Sequence, residues 1–188
     1  MPDDRKLIVS ENTSANGIVE FLDPWFDPAS QQDSDLLDVI RGHTEAETAL
    51  VLGRQTFEEF RAFWPQQTDD ATGFTAHLDR VQKYVVSSTM KDPGWQNSTV
   101  LSGPLEDEIR ALKAEPGGEI GVTGSVSVVH ALMRADLVDE YRLFVYPLVV
   151  GRGARLFEEG ASVPDLELAD SRTFSSGVAL LTYRVRTP

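Results

Sequence analysis

The stretch Leu50-Val51-Leu52-Gly53-Arg54-Gln55-Thr56-Phe57 joins an apolar strand to a helix through a glycine, an arginine and a hydroxyl side chain. A helix that starts directly after a strand presents free backbone N–H groups, and an arginine adds a fixed positive charge that suits a phosphate. The stretch therefore predicts a binding site for an anionic cofactor. Alternatively, it is a tight turn with an exposed arginine, and other segments must decide between the two interpretations.

Length and charge limit the classes of protein that this chain can represent. Its 188 residues are about the size of one domain, so we expect a single domain over residues 1–188. The formal charge of -13 repels nucleic acid and anionic lipid, which makes both poor partners. A small-molecule substrate is the partner that this composition favours.

The chain contains no cysteine, which excludes disulfides, thiolate nucleophiles and sulfur-ligated metals. Its first residues are acidic and lack an apolar signal segment, and no apolar run approaches the roughly 20 residues that span a bilayer. We therefore expect a cytoplasmic protein without a membrane partner.

Strand-like and helix-like segments alternate, which predicts an α/β fold with helices on both sides of a mixed, mostly parallel sheet. Ser175-Ser176-Gly177 separates the last two strand segments and predicts an antiparallel hairpin at the C-terminus. The strand candidates are 7–9, 49–52, 84–86, 99–101, 120–122, 141–145, 166–174 and 178–185. Helical spacing appears near 36–40, 57–63, 105–112 and 126–133, and residues 13–34 are expected to form a long loop.

Two further strand ends carry groups that can bind phosphate. Ile120-Gly121-Val122-Thr123-Gly124-Ser125 leads from a strand through small residues into a helix, and Val85-Val86-Ser87-Ser88-Thr89 ends a strand in hydroxyls. Either segment alone is explained equally well by a helix cap or by an ordinary strand end. Ligands of open α/β sheets bind at the carboxyl ends of strands, so three such ends together favour a common site.

These motifs, with Leu137-Val138-Asp139-Glu140 followed by Pro147, Gly151, Gly153, Leu156 and Phe157, resemble the dihydrofolate-reductase-like superfamily. More narrowly, the chain is similar to bacterial reductases related to the C-terminal domain of the bifunctional riboflavin deaminase-reductase. The resemblance runs from Lys6 to Arg184 in the family's order of motifs. It implies a three-layer αβα fold that binds NADPH across the strand ends, and it implies a homodimer.

The resemblance assigns expected roles to matching residues. Arg54 is expected beside the adenosine 2′-phosphate, and Thr56 near the pyrophosphate and the nicotinamide. The remaining cofactor-binding positions that the resemblance implies are Gly53, Ser87, Ser88, Thr89, Thr123, Gly124, Ser125, Val126 and Ser127. A guanidinium suits a phosphate dianion, and helix N-terminal amides suit a diester. We therefore expect a preference for NADPH over NADH.

The group that delivers a proton to the substrate is less clear. Dihydrofolate reductases carry a carboxylate on the helix before the Gly-Arg-x-Thr motif, where this chain has Asp35; alternatively, Asp35 is an ordinary first-turn charge. Riboflavin-type relatives carry Ser-Leu-Asp-Gly where this chain has Ser14-Ala15-Asn16-Gly17. Asn16 is thus a candidate catalytic position whose amide cannot carry a proton.

Candidate substrate contacts are two tryptophans and two arginines. Trp25 and Trp64, with Phe26, offer surfaces for stacking a flat ring, although packing in the core is the alternative for each. Arg152 and Arg155 lie in a turn on the expected substrate side and suit an anionic group, although solvated arginines explain them as well.

Other chemistries find no support in the sequence. His43, His77 and His130 lack the spacing of metal ligands, so no metal site is expected. A nucleophile elbow and a phosphate loop ending in Gly-Lys are both absent. Two functions remain: an NADPH-dependent reductase of a small pterin or aminopyrimidine-type heterocycle such as 5-amino-6-(5-phosphoribosylamino)uracil, or a non-catalytic NADP(H)-binding member of the same fold. The apolar run from Leu143 to Val150 and its hairpin are the sequence's support for a homodimer.

Overall fold

One eight-stranded sheet organises the computed structural model, which describes residues 5–20, 32–158 and 165–186. Its strands are β1 (Leu7–Ser14), β2 (Glu47–Gly53), β3 (Gln82–Val86), β4 (Ser98–Leu101), β5 (Glu119–Val122), β6 (Glu140–Tyr146), β7 (Leu166–Thr173) and β8 (Ala179–Val185). The strand order across the sheet is β4-β3-β2-β5-β1-β6-β8-β7. The first six strands are mutually parallel, and β8 is antiparallel to both β6 and β7.

Helices cover both faces of the sheet in the described part of the chain. They are α1 (Ser34–Ala46), α2 (Arg54–Phe63), α3 (Phe74–Arg80), α4 (Leu105–Ala114) and α5 (Val126–Arg134), and a 3-10 turn at Trp64–Gln66 follows α2. Side chains of α4 and α5 share a core with one face of β1, β2 and β5. Side chains of α2 and α3 pack on the opposite face of β2 and β3, and Leu36 of α1 packs against β6 and β8. The predicted three-layer αβα arrangement is confirmed.

The strand predicted at 49–52 forms the buried centre of β2. Residues 49–53 are all buried, and their side chains alternate between two cores: Val51 contacts the α4–α5 side, while Leu50 and Leu52 contact the α2–α3 side. A strand with helices on both faces needs apolar side chains in both directions. The unbroken apolar run in the sequence therefore has the expected cause.

The predicted C-terminal hairpin is also confirmed. Its turn spans residues 174–177, where the N–H of Phe174 donates to the carbonyl of Val178, and Gly177 takes a φ of 83°. The carboxylate of Asp33, which caps α1, accepts from the hydroxyl of Ser175 and the N–H of Ser176. These bonds lower the pKa of Asp33 to about 2 and tie the start of α1 to the hairpin.

Two parts of the predicted layout differ from the structure. The strand predicted at 7–9 continues to Ser14, because residues 10–14 pair with residues 142–146 of β6. Glu11 and Thr13 are thereby buried although they are polar, and the expected loop begins later than residue 13. Helix α3 was not predicted at all. Its turn is held by the carboxylate of Asp70, which accepts from the backbone N–H of Thr72 and Thr75.

Because β1 to β6 run in one direction, their last residues share one edge of the sheet, which we call the carboxyl edge. It is formed by the ends of β1, β2, β3, β4, β5 and β6 at Ser14, Gly53, Val86, Leu101, Val122 and Tyr146. The predicted phosphate-binding segments all follow strands of this edge.

Candidate functional site

Two strand-to-helix junctions meet at the carboxyl edge. In the first, β2 ends at Gly53 and α2 begins at Arg54. In the second, β5 ends at Val122 and α5 begins at Val126. The N–H of Gly53 donates to the carbonyl of Gly124 across 3.2 Å. The two predicted phosphate-binding segments therefore lie in direct contact, and we call this pair the β2–β5 junctions.

The close approach of the β2–β5 junctions leaves no space for a side chain at Gly53. A Cβ atom there would lie 2.2 Å from the Oγ of Ser125, although the backbone angles of Gly53, φ -69° and ψ 154°, suit any residue. Gly124 has a φ of 95°, and a Cβ atom on it would lie 3.0 Å from the Oγ1 of Thr56. The peptide bond between Gly124 and Ser125 is cis. Glycine is thus needed at position 53 for space and at position 124 for conformation.

Hydroxyl groups and helix N-termini face one another across the junctions. The Oγ1 of Thr56 lies 3.2 Å from the Oγ of Ser125. Ser125 occupies the N-cap position of α5, but its side chain does not cap the helix, and α2 also lacks a side-chain cap. The positive ends of two helix dipoles therefore lie side by side, and neither N-cap residue, Gly53 or Ser125, caps its helix with a side chain.

The remaining predicted cofactor contacts surround these junctions. The side chain of Arg54 is half exposed, and its Nη1 lies 2.9 Å from the Oε2 of Glu58, an ion pair along α2. Ser87 follows β3, the neighbour of β2, and its buried Oγ accepts from the N–H groups of Thr89 and Met90. Of the other predicted contacts, Ser88, Thr89 and Ser127 are exposed, while Thr123 and Val126 are half-buried.

Asn16 is held in a structural role at the end of β1. Its Oδ1 accepts from the hydroxyl of Ser14 at 2.8 Å and from the N–H of Val150 at 3.1 Å. Its Nδ2 donates to the carbonyl of Val150 at 2.9 Å, so the amide pairs with the backbone of Val150 as another peptide group would. Arg155 also joins this contact, since its Nη1 donates to the carbonyl of Asn16. The two loops that follow β1 and β6 are therefore fixed to each other.

Asp35 lies away from the β2–β5 junctions. It lines a surface groove of about 750 Å³ between α1 and the β7–β8 hairpin, whose other ionisable groups are Asp38, His43, Asp170 and Arg172. The strand order places this hairpin on one side of β6, while β5 and β2 lie on the other side. The structure brings Asp35 together with the hairpin and not with the predicted cofactor contacts.

The predicted substrate contacts are divided among different surroundings. Trp64 is buried, and its ring packs edge-on against those of Phe60, Phe63 and Phe74, so its packing interpretation has direct support. Arg152 and Arg155 are exposed in the loop after β6. Trp25 and Phe26 lie outside the described residues.

Glu11 is a buried carboxyl that belongs to none of the predicted site segments. It lies on β1 and is 6 % exposed, and its Oε1 has no hydrogen-bond partner among the described residues. Burial raises the pKa of Glu11 to about 8. At neutral pH this side chain is therefore mostly a neutral acid, which can both donate and accept a hydrogen bond. The sequence signal for it was an acidic residue two positions after the apolar run at 7–9.

A second buried polar group lies at the opposite edge of the sheet, where the strands begin. Nη1 and Nη2 of Arg142 each lie 2.9 Å from a carboxylate oxygen of Glu119, and Nε lies 2.8 Å from Glu140. Burial and the nearby charge of Arg142 lower the pKa of His43 to about 4. This cluster links side chains of β5 and β6 away from the carboxyl edge, and the charged residue inside the predicted strand at 141–145 was its sequence signal.

No helix in the described residues is long and apolar enough to cross a membrane. Within the same ranges, no group of three or more His, Asp and Glu side chains is placed to hold a metal ion.

Comparison with known proteins identifies the family. The RibD C-terminal domain matches residues 5–180. This chain belongs to the RibD C-terminal domain family. It is 32 % identical over 136 residues to the uncharacterized protein YyaP of Bacillus subtilis, which covers 71 % of this chain and 72 % of YyaP. It is 24 % identical over 168 residues to the uncharacterized protein YwjB of the same organism, which covers 88 % of this chain and 86 % of YwjB.

Solved structures share the fold of this RibD C-terminal domain protein. A Shewanella protein assigned to riboflavin biosynthesis superimposes with a TM-score of 0.72 at 21 % identity, covering 97 % of this chain and 99 % of its own. A pyrimidine reductase-like protein of Corynebacterium diphtheriae gives a TM-score of 0.69 at 18 % identity, covering 99 % of this chain and 94 % of its own. The predicted dihydrofolate-reductase-like architecture is thereby confirmed.

Proposed function

We propose that this RibD C-terminal domain protein is an NADPH-dependent reductase of a small heterocycle of pterin or aminopyrimidine type. The observation that carries the proposal is the contact between the β2–β5 junctions. There, two helix N-termini without side-chain caps adjoin the hydroxyls of Thr56 and Ser125. Such an arrangement suits a pyrophosphate, because N–H dipoles and hydroxyls stabilise negative charge. When bound, NADPH supplies the hydride.

Each proposed cofactor contact has a defined task. Gly53 lets the two junctions come into contact, Thr123, Gly124 and Ser125 form the turn beside the phosphate, and Val126 and Ser127 supply first-turn N–H groups. Thr56 offers a hydroxyl to the pyrophosphate. Arg54 lies one residue beyond Gly53, and its guanidinium exchanges Glu58 for the 2′-phosphate, while Ser87, Ser88 and Thr89 border the adenosine side.

Binding of the 2′-phosphate can be tested with Arg54→Leu. The exposed Arg54–Glu58 pair contributes only about 0.3–0.5 kcal/mol to folding, so the variant should fold normally. Loss of a charged hydrogen bond of about 1.5–3 kcal/mol should weaken NADPH binding roughly tenfold or more, measured by titration calorimetry. NADH binding, which involves no 2′-phosphate, should not change.

Arg110→Leu provides the matched control for that experiment. Arg110 is an exposed arginine on α4, so its replacement removes the same charge from a helix surface on another part of the protein. We expect this variant to bind NADPH as the wild type does. Equal affinity of the wild type for NADPH and NADH would contradict the role given to Arg54.

A second candidate function is a non-catalytic NADP(H)-binding protein, which the bonding of Asn16 favours. The amide of Asn16 is engaged with Ser14 and Val150 and has no proton to give to a substrate. Loss of NADPH absorbance should be followed with dihydrofolate and with 5-amino-6-(5-phosphoribosylamino)uracil. Turnover of either compound supports the reductase, whereas tight NADPH binding without turnover supports the non-catalytic protein.

We also propose that the protein forms a homodimer and acts in the cytoplasm. Two large apolar side chains support association: Leu168 on the edge strand β7 is 53 % exposed, and Val149, after β6, is 77 % exposed. A second copy that covers them removes apolar surface from water. Light scattering should give twice the mass of one chain, and Leu168→Glu should lower it. A wild-type monomer would refute the dimer.

A further inference from the structure

The strand order dictates how a dinucleotide must lie along the carboxyl edge, if it binds as proposed above. Neighbouring strands are about 4.8 Å apart, and β3, β2, β5 and β1 follow one another across the sheet. The proposed adenosine contacts follow β3 and β2, and the proposed pyrophosphate contacts follow β2 and β5. A ligand that continues in this direction reaches β1 with its nicotinamide end.

Strand β1 offers the Glu11 carboxyl near that position. Val9 of β1 pairs with Val122 of β5, so Glu11, two residues further on, lies at the level of the Gly124 turn. Side chains alternate along a strand, so Glu11 projects to the same face as Leu7 and Val9. Those two side chains pack in the core that includes Val129 of α5. Glu11 therefore lies on the α5 side of the sheet, beside the second of the β2–β5 junctions.

The carboxyl of Glu11 has hydrogen-bonding capacity that the described residues do not use. Its Oε1 is buried, and none of residues 5–20, 32–158 and 165–186 gives it a hydrogen bond. Buried polar atoms without partners are rare in proteins, because their loss of water is not compensated. A partner supplied by a ligand explains the placement of an acid here. Because burial raises its pKa to about 8, the side chain can donate through its O–H and accept through its other oxygen.

We propose that Glu11 binds the carboxamide of the nicotinamide ring and so positions that ring at the end of β1. A primary carboxamide carries one acceptor oxygen and an NH₂ donor, which complement a neutral carboxyl group in both directions. Glu11 is thus a positioning residue for the cofactor. The assignment rests on the proposed NADPH site. It gives the nicotinamide half of NADPH a contact that the adenosine half does not share.

Two nucleotides and two variants test this assignment by calorimetry. NADPH contains the carboxamide, while adenosine 2′,5′-bisphosphate contains the phosphates near Arg54 and lacks the nicotinamide. Glu11→Leu should weaken NADPH binding about tenfold or more and leave binding of adenosine 2′,5′-bisphosphate unchanged. Glu11→Gln, which keeps one donor and one acceptor, should bind NADPH within about threefold of the wild type.

The wild type alone provides a second test that does not depend on the folding of a variant. An NADPH analogue with an acetyl group in place of the carboxamide lacks the NH₂ donor, and it should bind the wild type about tenfold more weakly than NADPH. Equal affinity for the two compounds would overturn the assignment, as would an equal loss of both nucleotides in Glu11→Leu. If the wild type binds neither NADPH nor adenosine 2′,5′-bisphosphate, the proposed function fails, and this assignment fails with it.

Discussion

Replacement of Gly53 by alanine tests the close contact between the β2–β5 junctions. The added Cβ would lie 2.2 Å from Oγ, 2.8 Å from Cβ and 3.0 Å from the backbone N of Ser125. Since Gly53 has backbone angles that alanine accepts, the cost is steric. Overpacking of this kind costs about 1–3 kcal/mol, and each kcal/mol lowers Tm by about 2–4 °C in a chain of this size. NADPH binding should weaken as well, because the two junctions are forced apart.

Urea denaturation of two further variants separates the clash from a general effect of alanine. Gly42→Ala makes the same chemical change on the exposed side of α1, where nothing lies within 4 Å of the new atom. It should stabilise the protein by about 0.5–1 kcal/mol, because alanine favours a helix. Adding Ser125→Gly to Gly53→Ala removes two of the three close contacts and should recover part of the loss. A Gly53→Ala variant as stable as the wild type would refute the reasoning.

Three further predictions concern buried ionisable groups, and urea denaturation checks each of them. Arg142→Leu should lose about 3–5 kcal/mol, because the carboxylates of Glu119 and Glu140 both lose their bonds to the guanidinium. Replacing Glu119 by leucine as well should recover part of the loss, and no recovery argues against this cause. Folded Glu11 keeps its proton up to about pH 8, whereas the unfolded chain releases it near pH 4.5. The free energy of unfolding of the wild type should therefore fall by up to about 1.4 kcal/mol per pH unit as the pH rises from 4.5 to 8. Glu11→Gln should lack this component, and identical pH profiles would exclude it. Folded His43 takes up a proton only near pH 4, so wild-type stability should fall between pH 6.5 and pH 4, and His43→Phe should not show that fall.

The parts of the fold that the sequence predicted are those whose cause is local. The strand at 49–52 is covered by helices on both faces, so each of its residues is apolar. This unbroken apolar run predicts the strand from the segment's own residues. Gly177 marks the hairpin because the turn requires a positive φ there. In both cases the residues of the segment itself are sufficient to predict the element.

Features that depend on distant contacts were missed. Glu11 and Thr13 are polar, so their place inside β1 follows from their pairing with Leu143 and Val145 of β6 and not from the pattern of β1 itself. Helix α3 is short, and the turn before it is held by hydrogen bonds to Asp70. A polar stretch before a glycine is equally typical of a loop, so the sequence did not predict this helix. Strand boundaries in polar segments are thus set by tertiary contacts.

The candidate site was only partly accessible to sequence reasoning. Gly53, Thr56, Gly124 and Ser125 do come together, because their segments follow neighbouring parallel strands. Asp35 does not join them. Asp33 bonds to Ser175 and Ser176 and so ties the start of α1 to the hairpin, and the sequence of α1 does not predict these distant bonds.

The position of β5 affects how the chain folds during synthesis. Strand β1 pairs only with β5 and β6, both of which are made much later. A nascent chain that stops before Glu119 holds β2, β3 and β4 as neighbours, while its first strand has no partner. Contacts between distant segments slow folding, so β1 stays unpaired and exposed to aggregation until β5 and β6 have been synthesised.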